Sequence, residues 1–183
     1  MRTLYLDIAT TGMDLINDRV VEVAITEVVD GELSGQVFHY YLYPGNRAID
    51  SGVAEVNGYD LDFLLDKPGF GAITGELLAF VEGAEIVSLE TAFDIGFLNA
   101  ELNRINMHPI ATFCHTVIDL RSIARKLVPK EPALLGYLLK KYHIEVTSHD
   151  AIPAKLQSTA LLYRLHSAMI KASPDNQVIA EAD

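Results

Sequence analysis

Apolar residues recur along this chain with two different periods, and the change of period divides it. Residues 4–6, Leu-Tyr-Leu, form a short apolar run that predicts a strand delivering Asp7 to its end. Thr10-Thr11-Gly12 then reads as a turn in which Gly12 takes a positive φ. Residues 19–29, RVVEVAITEVV, place Val21, Val23 and Ile25 on one face and Glu22 and Thr26 on the other, the alternation of a strand. Asp30-Gly31 is a hairpin-turn pair, and residues 36–43, QVFHYYLY, form the returning strand before Pro44-Gly45 stops it. His39 lies among aromatics in that strand and reads as a packed side chain. Three antiparallel strands are therefore expected first, followed by a loop-rich stretch over residues 46–70.

Helical spacing then takes over. Ile73, Leu77, Leu78 and Val81 recur at helical intervals, predicting a helix over residues 69–82 with Gly83 as its stop. Residues 85–89 read as a short buried strand. Residues 93–107 carry Phe97, Leu98, Leu102 and Ile105 on one face of a helix that begins near Asp94. A short extended run is expected over residues 111–115. Asp119 reads as the cap of a helix through Leu127, and Pro132 as the start of another over residues 133–142. The last helix is expected from about Asp150 to Lys171. Strands first, then helices interleaved with two further strands, predict an α/β fold with a mixed central sheet and helices on both faces.

Composition narrows the class. At 183 residues the chain is expected to form one domain over residues 1–172, with a polar, disordered tail over 173–183. Half the residues are hydrophobic, yet no apolar run reaches membrane-spanning length and no signal segment opens the chain, so a soluble protein without membrane contact is expected. The single cysteine, Cys114, allows no intrachain disulfide and reads as a small buried hydrophobe, in keeping with a cytoplasmic location. A net charge of −11 argues against broad electrostatic binding of nucleic acid, although bound divalent cations can supply positive charge locally.

Asp7, leaving a buried strand and followed by small hydroxyl residues, suits metal and phosphate chemistry; the alternative is an aspartate that starts a turn. The stretch LDIATTG resembles the first motif of the DEDD superfamily of 3'-5' exonucleases, D-x-E-T-T-G, with Ala9 where that family has glutamate. GAEIVSLETAFDIGFLNAEL, residues 83–102, resembles the second motif, in which a strand leads into H-N-A-x-F-D and a helix. SHDAIPAKLQSTALLYRL, residues 148–165, resembles the third, H-x-A-x-x-D-A. FLLDKPGF, TFCH and ARK add similarity to the DnaQ-like (DEDDh) branch that includes the proofreading epsilon subunits of bacterial DNA polymerase III. The resemblance covers roughly residues 1–170 in the family's order and spacing.

The resemblance implies a ribonuclease H-like exonuclease fold and two-metal hydrolysis of single-stranded DNA or RNA from its 3' end. In that chemistry carboxylates hold two Mg²⁺ or Mn²⁺ ions and a histidine acts as general base. Carried over, the first acid is Asp7, the third Asp94 and the histidine His149, while Ala9 and Ala154 stand at the second and fourth acids. Shifting the third motif by one residue puts Lys155 at the fourth position instead. Weak or absent metal binding and strongly impaired hydrolysis are expected. Glu90, in place of the asparagine of the second motif, is a relocated ligand or a solvated strand-end acid; Asp150 is a compensating acid or a helix cap. Thr10, Thr11, Gly12, Phe93 and Phe97 match the family's substrate pocket, with Phe97 equally readable as plain core. The family often has an aspartate at Asp119 too, so the resemblance offers a supporting role there as the alternative to the cap, and the cap is the better reading; Asn57 replaces a histidine in the family's V-H-G-I segment. No counterpart of the family's polymerase-binding extension is expected. The alanines are experimental knock-outs or natural drift, and the further departures at Leu89, Glu90, Asn57 and Lys155 favour drift. A second reading is a non-catalytic module that binds a protein partner, such as a replication or repair component, or a nucleic-acid end.

Overall fold

Five strands form one mixed sheet in the order β3-β2-β1-β4-β5. The computed structural model describes residues 1–50, 52, 54, 58, 60–147, 149 and 151–173. Asp150, Asn57 and the segment beyond Ser173 lie outside the described residues, and with them the expectations placed there. Strands β1 (Arg2–Thr10), β2 (Val20–Val29) and β3 (Glu32–Tyr41) are antiparallel neighbours. Strand β4 (Glu85–Ser88) runs parallel to β1, and β5 (Thr116–Asp119) parallel to β4. The hairpin between β2 and β3 is built as expected, with Asp30 and Gly31 both at positive φ, 51° and 82°.

Six helices are described. They are α1 (Leu61–Leu64), α2 (Phe70–Val81), α3 (Thr91–Arg104), α4 (Leu120–Leu127), α5 (Leu135–Lys141) and α6 (Ala154–Lys171). The principal core joins Leu4, Leu6 and Ile8 of β1, Val23 and Ile25 of β2 and Phe38 of β3 to Ile73, Leu77, Leu78 and Val81 of α2 and Phe97, Leu98 and Leu102 of α3. The opposite face is covered by α6, where Leu162 packs with Tyr5 and Val28. Burial on both faces is why β2 is apolar almost throughout and its outer positions are not solvated.

Several boundaries differ from the sequence reading. β1 continues to Thr10, so Asp7 lies inside the strand, opposite Ala24, rather than at its end. Gly12 is not in the left-handed region; a side chain there would collide with the Asp18 carboxylate and come within 2.8 Å of Asp50 Oδ2. The expected extended run at 111–115 is a 3₁₀ turn over Ile110–Thr112 that follows Pro109, and the strand forms at the next β-branched run, Thr116–Asp119. α3 starts two residues earlier and stops at Arg104, which leaves Ile105 39 % exposed. Pro132 does not open α5, and α6 begins only after Pro153, because a proline biases the residue before it away from helical backbone.

Candidate active site

Asp7 and Asp94 converge from two neighbouring elements. Asp7 projects from the middle of β1; Asp94 sits in the first turn of α3, which leaves the sheet just after parallel strand β4. The helix is held against the sheet by a half-buried ion pair: Arg19 donates through Nε and Nη2 to the two oxygens of Glu101 at 2.7 and 2.8 Å, and the backbone N–H of Val20 adds a third bond at 3.1 Å. Glu101 is 1 % exposed, so this fork fixes where Asp94 points. Ser88, the last residue of β4, hydrogen-bonds through its hydroxyl to Asp94 Oδ2 and accepts from the backbone N–H of Glu90 at 3.1 Å.

Burial pushes the Asp94 carboxyl up to about 8, and the negative charge of Asp7 adds to it; the Ser88 bond and the Lys155 charge act the other way. A neutral acid at the centre of the site follows near neutral pH. Asp7 is paired instead: Lys155 Nζ donates to its Oδ1 at 2.9 Å, with both side chains largely shielded from solvent. Lys155 lies on the sheet-facing stripe of α6 together with Thr159, Leu162 and His166. Thr159 bonds to Thr26 of β2 at 2.6 Å and His166 to the Tyr5 hydroxyl at 3.0 Å, so two contacts further along the helix set its rotation. Ala154, one residue earlier, is exposed.

The corner after β1 is rigid. Thr10 donates its hydroxyl to Gly12 O at 2.5 Å, and Thr11 donates to Asp18 Oδ1 at 2.9 Å while accepting from the Arg19 N–H. Burial raises the Asp18 carboxyl, but bonds from the Asp14 backbone, Arg47 and Thr11 outweigh it and hold it below its ordinary range. Ala9 is buried against Val21 and Leu64, an apolar pocket at the second acid position. Phe93 is half-buried with its ring 4.8 Å from that of Phe97, and Phe97 is fully buried in the principal core.

Three other candidates take different places. Glu90 pairs with Arg121 Nη1 at 2.6 Å, so its carboxylate is already engaged. Asp119 caps α4 through the Ser122 N–H at 2.6 Å and also accepts from the N–H and hydroxyl of Thr91 at 2.9 Å each, tying the starts of α3 and α4 together. His149 is exposed on the loop before α6; its backbone is held by Gln157, and its ring makes no hydrogen bond to a described residue. The sequence reading overlooked Ser88 and the charge balance provided by Lys155. The Ser88 position offered no signal, since serine at a strand end is common; Lys155 was visible as a cation at an acid's position.

The donor set is two carboxylates, one of them on an ammonium, with Ala9 and Lys155 at the other places that the resemblance gives to acids. Among the described residues no group of three or more His, Cys, Asp or Glu side chains is arranged to hold a metal ion. Hard divalent cations of the magnesium type need several oxygen donors in strict geometry, and these residues do not fit a two-metal centre.

A mixed five-stranded sheet flanked by helices, with acids meeting from β1 and from the helix after β4, defines a ribonuclease H-like nuclease fold. The same fold is found in the nuclease domain of 3'hExo, a DEDDh family member solved bound to rAMP, with TM-score 0.76 and 14 % identity over 93 % of this chain and 92 % of that one. Escherichia coli exonuclease I in complex with a dT13 oligonucleotide matches with TM-score 0.78 and 16 % identity over 98 % of this chain and 43 % of that one. The RNase_T family, described as exonuclease, matches residues 4–153. The DNA polymerase III subunit epsilon of Buchnera aphidicola subsp. Acyrthosiphon pisum (strain APS) is 37 % identical over 174 residues, covering 92 % of this chain and 72 % of that protein. Its counterpart in Escherichia coli (strain K12) is 34 % identical over 175 residues, covering 92 % and 71 %. The chain belongs to the DnaQ-like 3'-5' exonuclease family.

Proposed function

We propose that this DnaQ-like exonuclease domain does not hydrolyse nucleic acid by the two-metal route and serves as a non-catalytic module that docks a protein partner. One observation carries the reading: of the four ligand positions implied by the family motifs, Ala9 offers only a methyl packed on Val21 and Leu64, and the place on α6 that faces Asp7 holds the Lys155 ammonium, leaving Asp7 and Asp94. Metal ions supply both the nucleophile and the charge stabilisation in this chemistry, so their loss lowers the rate by orders of magnitude.

A protein partner is favoured over a nucleic-acid end by the net charge of −11 and by the loop after the first motif. Met13 and Ile16 are 75 % and 82 % exposed there, on a loop that Arg104 pins by donating to Ile16 O at 2.8 Å and Asp18 O at 3.1 Å. A rigid apolar prominence suits docking. The relatives are named as subunits of DNA polymerase III, which makes a polymerase assembly the first partner to test, in the cytoplasm.

The test is degradation of a 5'-labelled single-stranded oligonucleotide with Mn²⁺. The parent chain is compared with an Ala9→Glu, Lys155→Asp variant, which clears the ammonium from Asp7 and puts a carboxylate on the stripe of α6 that faces it. The expected result is an inert parent. Degradation by the parent but not by Asp7→Ala overturns the reading and turns attention to Glu90. Activity in the double variant alone means that the pocket survives and lacks only its ligands.

A further inference from the structure

We infer that Lys155 is a resident counter-cation: its ammonium takes over charge balance at the Asp7–Asp94 pair and keeps divalent cations out of it. The inference rests on the non-hydrolytic reading above and deepens it, because it says why the two surviving acids do not form a residual one-metal site.

Helix geometry carries the argument. Lys155, Thr159, Leu162 and His166 are spaced four, three and four residues apart, so they share one stripe of α6. Thr159 and Leu162 are buried on β1 and β2, and His166 is fastened to Tyr5. A residue on that stripe in the first turn must point at the middle of β1, which is where Asp7 stands. The lysine is therefore aimed by the docking of the whole helix, and it meets the acid at 2.9 Å. Ala154, about 100° around the helix, faces solvent.

Two cations cannot share that place. A divalent ion seated on Asp7 would lie within a few ångströms of the ammonium, and screening by water is weak where the two side chains are only 25 % and 19 % exposed. Moving the lysine away would leave its charge without its partner beside the apolar seam of α6. Other acids do not compensate: Glu90 is committed to Arg121 and Asp18 to Arg47 and Thr11. Alanine at position 9 is consistent with the same arrangement, since it adds no carboxylate that the one ammonium would have to balance as well.

The experiment is a Mn²⁺ titration of the full chain followed by electron paramagnetic resonance of the free ion, with melting temperature read in parallel. It compares the parent, Lys155→Met and Lys155→Met/Asp7→Asn. Methionine keeps an unbranched stem against the α6 seam, and Lys155→Gln is held in reserve should that variant fail to fold. The parent is expected to show no saturable uptake; Lys155→Met is expected to gain at least about tenfold in Mn²⁺ affinity, with a matching rise in melting temperature. The added Asp7→Asn change abolishes the gain. Equal uptake by parent and Lys155→Met, whether both bind or neither does, overturns the inference. Neither of those outcomes touches the non-hydrolytic reading, which falls only if the parent degrades the oligonucleotide.

Discussion

Asp94 is the acid of the site that burial perturbs most. Its carboxyl is buried beside Asp7 and pushed up to about 8, whereas in the unfolded chain it titrates near its ordinary 3.8. Between those values the folded state holds a proton that the unfolded state has released. Stability is thus fully present at acid pH and is lost as pH rises through about 8. Asparagine resembles the protonated acid in shape and does not titrate. The melting-temperature advantage of Asp94→Asn over the parent is therefore expected to be small at pH 5 and to grow about threefold by pH 9, at about 2–4 °C per kcal/mol for a chain of this size. Differential scanning calorimetry at the two pH values checks this; a variant less stable than the parent at pH 9 would show that the ionised form is the one the site holds. Asp7, Asp94 and the two alanines were all legible in the motifs. Their pairing was not, because a contact between residues 7 and 155 is set by how a helix docks on a sheet, and no local pattern encodes that angle.

Elements were read best where the period was long and both ends carried a signal. The α2 helix, with its four apolar positions and Gly83 at φ 67°, lies within a residue of the expected limits. Proline misled twice: Pro132 was taken to open a helix that begins at Leu135, and Pro153 postpones α6 to Ala154. β5 was placed too early because TFCH is as apolar as the strand that follows it, and only alignment with β4 separates them. Asp119 was identified as a cap, and the structure gives it a second duty at the start of α3. Burial pushes its carboxyl up, but the bonds from Ser122 and Thr91 prevail and hold it low. Removing it uncaps α4, worth about 1 kcal/mol, and strands the Thr91 donors as well. Asp119→Ala is expected to lose about 2–3 kcal/mol in urea unfolding, and Asp119→Asn less than half of that. Equal losses in both would mean that charge rather than hydrogen bonding anchors the two helix starts.

At the scale of the molecule, charge decides between the two kinds of partner. Acidic side chains outnumber basic ones 25 to 14, and the cation beside Asp7, Lys155, is already paired with it. Binding of a single strand draws its free energy from counterions released by Lys and Arg, with a slope of about −0.7 per phosphate neutralised. If no more than two cations reach the strand, affinity without metal changes less than about tenfold between 50 and 200 mM salt and stays in the weak, non-specific range. Fluorescence anisotropy of a 3'-ended oligonucleotide in EDTA measures both quantities. A submicromolar affinity that collapses by several hundredfold over the same range would require six or more phosphate contacts. Such a result would replace protein docking with nucleic-acid end binding, since no apolar contact by the Met13–Ile16 loop could produce that salt dependence. A shallow, weak response leaves that loop as the surface through which this exonuclease fold would contribute to a larger assembly.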